Sequence, residues 1–322
     1  MMNTVSTTTW HAFPAINLES DLLRVTMVPE LGAKIVSIYD RTRDFEWLVP
    51  PMRPPQRAGY GADFVSQDMS GWDEMFPTIV ACAYPGSGDQ HGAALPDHGE
   101  VWSLPWQVEA AGDGRISLSI DGPVLPYRLA RTAELVTPTT LRLSYRLDNP
   151  GGESLPYLWS AHPQFAAGAD TEIVFPPQVK EVWNTIAEAW GWGPMEARYA
   201  WPEAQAPDGS RVRIDRVGPP SLGKARKFFI PPDVRVEWAA LLRRDSMDWL
   251  RLEWDAAQVP YLGLWVDEGA INSAPVAAPE PMTGFYDSLA VAWDKKRVAL
   301  LAPGASREWS LSVRLGTGSL PE

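Results

Sequence analysis

Apolar and polar residues alternate along short stretches of this chain. Leu22–Val28, Arg115–Ile120 and Leu141–Leu147 place apolar side chains at every second position, as do Arg235–Trp238 and Trp309–Leu315. Successive side chains of a strand point to opposite faces, so a period of two predicts half-buried β-strands. Turn signals separate them: Asp113-Gly114, Asp121-Gly122, Asn149-Pro150-Gly151-Gly152 and Pro207-Asp208-Gly209. Short strands at this spacing predict an all-β fold, a large antiparallel β-sandwich or a barrel. The 31 Pro and 25 Gly suit a loop-rich β chain, and no amphipathic helix longer than two or three turns is expected. Patterning resumes directly after the Pro-rich Val49–Pro55, which therefore reads as a rigid surface loop and not as a linker. No internal repeat of about 20–50 residues disturbs the pattern, which disfavours a propeller. Residues 1–322 are expected to form a single domain.

Charge and composition then remove several function classes. A formal net charge of −12 argues against a nucleic-acid partner and against an anionic membrane surface. A neutral small molecule fits this balance best. One cysteine, Cys82, allows no intrachain disulfide, and no spacing resembles a zinc site, so neither metal nor cofactor is expected. The segment Met1–Trp10 is polar and Thr-rich, unlike a secretory leader, and no run of about 18 apolar residues is present. The expectation is a cytoplasmic protein, monomer or homodimer.

The aromatic balance is unusual, with 16 Trp against 9 Tyr and 9 Phe. Trp offers a broad apolar face plus one donor and stacks well on the C–H faces of sugars, although most Trp fill cores. Candidate chemistry lies among these aromatics. Glu280 sits between Pro279 and Pro281, which stiffen the backbone around a carboxylate; the alternative is an edge-strand Glu facing solvent. His98, in Pro96-Asp97-His98-Gly99-Glu100, occupies a turn before an expected strand at Val101-Trp102, where Gly99 permits close backbone approach. His162 precedes Pro163 and so ends an expected strand with an extended backbone. Imidazole titrates near neutrality, at about 6.5, and a carboxylate beside it would tend to hold it charged.

Gly71-Trp72-Asp73-Glu74-Met75-Phe76-Pro77 adds two adjacent carboxylates, of which alternation allows only one to face a ligand; Asp73 is the candidate. Gln164 and Arg131 are candidate polar contacts, and Trp72, Trp159 and Trp265 candidate stacking platforms. No nucleotide loop and no Gly-x-Ser-x-Gly elbow is present. Arg128 with Arg131 is the sole upstream pair suited to a phosphorylated sugar, and it reads more simply as solvent-facing strand positions.

These segments together resemble the aldose 1-epimerase (galactose mutarotase-like) superfamily, from Leu31-Gly32-Ala33-Lys34-Ile35 through Ser288-Leu289. The likeness is to a branch related to glucose-6-phosphate 1-epimerase-like and galactose mutarotase-like proteins. It implies an antiparallel supersandwich with a sugar groove across one sheet. It further implies Glu280 as general base, His162 as general acid, and His98 as a group that binds and polarises the sugar. Two segments depart from the family pattern. Where mutarotases proper carry His-His-Pro-Tyr-Phe-Asn, this chain reads Ala161-His162-Pro163-Gln164-Phe165. The family's Asn-Arg gripping segment is replaced by Gly71–Pro77, so a preference for galactose or glucose is not inherited. The expected activity is interconversion of sugar anomers without a cofactor. A non-catalytic carbohydrate-binding protein on the same fold is the first alternative, and a glycoside hydrolase or lyase using Glu280 with Asp73 the second.

Overall fold

The predicted alternation is realised as hydrogen-bonded strands. Along Thr140–Asp148 the side chains of Leu141, Leu143, Tyr145 and Leu147 are buried, while Arg142 and Arg146 are exposed. A computed structural model of the chain describes residues 3–186 and 189–321. Among these, almost all regular structure is β, and the one α-helix, Leu289–Asp294, is short and capped by Ser288. No helix of the described residues is long and apolar enough to cross a membrane.

Two large sheets carry the fold. The smaller, of eight strands, includes Arg115–Asp121, Arg128–Thr137, Thr140–Asp148, Trp238–Arg243, Asp248–Trp254 and Ser306–Thr317. The larger, of thirteen strands, runs through Trp72–Met75, Ser160–Pro163, Val276–Met282, Tyr261–Glu268 and Lys224–Phe229 as consecutive neighbours. Their inner faces share one continuous apolar core that joins Leu143, Tyr145 and Trp309 to Trp72 and Trp159. Pairing is antiparallel throughout these strands. Two sequence readings change. The strand expected at Arg235–Trp238 begins only at Trp238, and Val101-Trp102 lies in a turn, not a strand.

The strand Val276–Met282 is buried along its whole length, because one face meets the core and the other lies beneath a pocket. It nevertheless contains Pro279 and Pro281, which a central strand ordinarily excludes. Its ladder to Tyr261–Glu268 is complete. On the other side, the strand pairs only at Ser160 with Met282 and at Phe165 and Ala166 with Ala277 and Val276. Counting inward from either end places His162 opposite Glu280 and Pro163 opposite Pro279. The prolines supply no N–H, so the ladder lapses between its two ends, where the site opens.

Candidate functional site

Strand alternation sets which side chains reach the outer face of the large sheet. Glu280 pairs with Gly263, and Trp265 with Lys227, so Glu280, Trp265 and Lys227 share that face. Ser160 pairs with Met282, which puts His162, two residues on, on the same side. Gly263 keeps this floor open: a Cβ there would stand 3.3 Å from Oε2 of Glu280. Above the floor is a pocket of about 220 Å³, whose lining includes His98, His162, Gln164, Lys227, Glu280 and Asp287. A larger groove of about 850 Å³ lies beside Phe175 and Trp238. Its charged residues, Arg235 and Glu237, pair with each other on an exposed surface.

Within the pocket, Nε2 of His162 faces Oε1 of Glu280 at 3.8 Å. That gap is too long for a hydrogen bond. Lys227 donates to Oε2 of the same carboxylate and lies 3.2 Å from Asp287. Oε1 of Glu280, Nδ1 of His162 and Nε2 of Gln164 have no partner within the protein. Buried polar atoms are rarely left unsatisfied, and a group of them around one cavity marks where a polar ligand would complete the set.

Each of these groups is held by its neighbours. Asp267 accepts from the backbone N–H groups of Gly269, Ala270 and Asn272, shaping a turn. Asn272 then donates to Met69 O at 2.6 Å and to Oε1 of Gln164 at 3.3 Å. Those contacts orient the Gln164 amide with its NH₂ free. His98 bonds Oδ2 of Asp97 through Nδ1 at 2.7 Å and stacks on Phe64 with ring centroids 3.8 Å apart. That bond to Asp97 and the stacking on Phe64 fix the ring with its Nε2 away from Asp97. Gly99, at φ +78°, lets this turn cross Phe76, where any Cβ would strike the Phe76 carbonyl at 2.2 Å.

Burial dominates the electrostatics. It pushes the Glu280 carboxyl up to about 7, with Lys227 opposing and Asp287 reinforcing the rise. Burial also drives His162 well below the usual imidazole value, helped by His98, Lys227 and Lys34. The sequence-based expectation that Glu280 would hold His162 charged is thus reversed, because desolvation and nearby positive charge outweigh a carboxylate 3.8 Å away. Burial works against the Lys227 ammonium too, but Asp287 and Glu280 overcome it and raise its pKa.

No protein-family model and no curated protein sequence matches the chain. Solved structures match it along nearly its full length. The Slr1438 protein of Synechocystis superposes with a TM-score of 0.72 at 15% identity, covering 97% of this chain and 99% of that one. A galactose mutarotase-like protein of Lactobacillus casei gives 0.68 at 18%, covering 94% and 100%. Another of that description, from Clostridium acetobutylicum, gives 0.69 at 14%, covering 98% and 99%. The fold is galactose mutarotase-like.

On this galactose mutarotase-like fold the sequence candidates divide. Glu280, His162, His98, Gln164 and Trp265 meet around one pocket. Glu280 is not an edge-strand residue but fully buried in a central strand. The other four candidates lie outside the pocket. Trp72 and Trp159 are buried in the core. Arg131 is also buried there and pairs with Glu74 at 2.8 Å. Glu74 additionally accepts from Tyr145 and from Trp159 Nε1, each at 2.8 Å. Asp73 does take the opposite face from Glu74, but it pairs with Lys34 at 3.3 Å rather than lining the pocket. Arg128 is half-buried and pairs with Asp121 and Glu109, so the postulated Arg128–Arg131 phosphate pair does not form.

Lys227, Asp287, Phe64 and Asn272 were not foreseen. Lys227 lies in Lys224-Ala225-Arg226-Lys227-Phe228-Phe229, which reads as a basic patch running into aromatics. Alternation along Lys224–Phe229, combined with its pairing to Trp265, would have pointed to it.

Proposed function

We propose that this protein is an aldose 1-epimerase that opens and recloses a sugar ring by paired proton transfers, with Glu280 as base and His162 as acid. The observation that carries this reading is that Oε1 of Glu280, which has no partner within the protein, faces Nε2 of His162 across 3.8 Å in one buried pocket. The anomeric oxygen and the ring oxygen sit on one carbon, closer together than that gap. A sugar placed edge-on therefore meets both groups at hydrogen-bonding reach, about 2.6–3.2 Å.

Oε1 of Glu280 takes the proton of the anomeric hydroxyl. The O–H electrons form the C1 carbonyl, the bond from C1 to the ring oxygen breaks, and that oxygen takes a proton from Nε2 of His162. After rotation about C1–C2 the former ring oxygen attacks the other carbonyl face. It returns its proton to His162, and Glu280 returns its own to the carbonyl oxygen. The catalyst ends as it began, and neither transfer needs a metal or cofactor. Each positioned transfer is worth about 10²–10⁴-fold. Lys227 orients Glu280 through Oε2 and leaves Oε1 for the substrate. Gln164 Nε2 supplies a donor, and the His98 ring a second polar contact, for ring hydroxyls.

NMR exchange spectroscopy of anomer interconversion, with catalytic amounts of protein and a panel of aldoses, tests this reading. Faster exchange for any aldose supports it. Sugar binding without faster exchange would make the protein a carbohydrate-binding relative of the fold.

A further inference from the structure

The walls of the pocket carry information about what the sugar looks like away from C1. Six of the fifteen described lining residues are polar or charged. The rest of the lining is Phe64, Val65, Met69, Ile79, Val80, Ile186, Trp190, Trp265 and Ile271. Among the described lining residues there is no Arg, Ser or Thr. Val65, Val80 and Trp190 are exposed by 38%, 47% and 41%, so the apolar wall continues to the protein surface. Exposed apolar side chains gathered around a cavity mouth, unlike scattered ones, indicate a contact surface.

Charge gives a second, independent constraint. Lys227 is the only Lys or Arg in the described lining, and two carboxylates, Glu280 and Asp287, already face it. Among the described lining residues no Lys or Arg is left unpaired for a phosphate or a carboxylate on the ligand. Size gives a third. At about 220 Å³ the pocket lies below the usual range for ligand sites, about 300–1,000 Å³, and suits a single monosaccharide ring.

We infer that the preferred substrate is an uncharged aldose whose edge remote from C1 presents C–H in place of O–H, the class of the 6-deoxyaldohexoses. This rests on the epimerase reading, which fixes C1 between Glu280 and His162. With C1 there, hydroxyls near it reach Gln164, His98 and Asp287, while the exocyclic C6 group points along the apolar wall. A methyl group buries favourably against Val80, Ile271 and Trp265. A hydroxyl held against the same side chains gives up its water and finds no partner.

The test compares kcat/KM for anomer exchange, by NMR, within two substrate pairs: galactose with 6-deoxygalactose, and glucose with 6-deoxyglucose, alongside glucose 6-phosphate. The expected result is a preference of about 10- to 100-fold for the deoxy member of at least one pair, the discrimination that an apolar wall delivers, with no acceleration for the phosphate. In Ile271→Thr, which gives the wall a hydroxyl, that preference should shrink by several-fold. Acceleration with the parent hexoses equal or preferred would overturn the inference and leave the epimerase reading standing, as would activity on glucose 6-phosphate above that on the neutral sugars. No acceleration of any sugar would overturn both.

Discussion

His162 stands opposite Glu280 across two antiparallel strands whose ladder lapses between them. Ser160–Met282 and Phe165–Ala277 pin the register at either end, and the prolines at 163, 279 and 281 withhold the N–H groups that would close it. The same residues that interrupt the ladder therefore flank both proposed proton-transfer groups. A sheet ordinarily seals its centre with hydrogen bonds; here the centre holds an acid, a base and the space between them.

The first consequence concerns pH. The proposed pair works with one proton, placed on His162 at ring opening and on Glu280 at the open-chain stage. Burial lifts Glu280 to about 7 and pushes His162 well below its ordinary value. Above about pH 7 the pair loses its single proton, and below the His162 titration it gains a second. The profile of kcat/KM should therefore be a bell with its alkaline limb near pH 7 and its acid limb below pH 6.5. A plateau running on to pH 9 would contradict this assignment.

Lys227 sets where that bell lies. Its charge lowers the Glu280 and His162 pKa values alike. Lys227→Met should therefore move both limbs to higher pH and cut activity at pH 7. Loss of activity with both limbs unmoved would mean that Lys227 acts only by holding the Glu280 side chain in place.

Arg131 has a structural task. Its guanidinium neutralises Glu74, and both side chains are fully buried between the sheets. Arg131→Met should destabilise the fold by about 3–5 kcal/mol, since it strands a buried charge. The KM of the variant that remains folded should not change. Urea unfolding and exchange kinetics on the same preparation separate the two effects.

Three buried carboxyls bias global stability towards mild acid. Asp73, Glu100 and Glu280 are each raised to about 7, chiefly by burial. A carboxyl with a raised folded-state pKa contributes stability that is full below its unfolded value and is lost as pH climbs to the folded one. His162 opposes this only below about pH 6.5, where the unfolded chain begins to take up its proton. Thermal unfolding should occur at higher temperature at pH 6 than at pH 8, and the reverse order would show that the three carboxyls ionise freely in the folded state.

Much of the architecture was legible because half-buried strands such as Thr140–Asp148 alternate cleanly. Val276–Met282 was not legible as a strand from pattern, because all seven residues are buried and two are Pro. The site was legible in its two histidines and Glu280, which stand out against a chain with 4 His. Neighbours of those residues were harder to sort. Gln164 lies two positions from His162 and reaches the pocket, whereas Trp159 lies three positions away and turns into the core. Period-two alternation separates them, but proximity in sequence does not. Asp287 and Phe64 come from loops, where no period applies, and only the folded chain brings them to His98 and Lys227.

The role of Oε1 of Glu280 as base is tested most directly by anomer exchange by NMR for wild type and Glu280→Gln, with sugar binding by calorimetry on the same samples. The substitution keeps shape and removes the proton acceptor. The variant should lose at least about 10²-fold in exchange rate with binding retained. Full exchange activity in Glu280→Gln would contradict it.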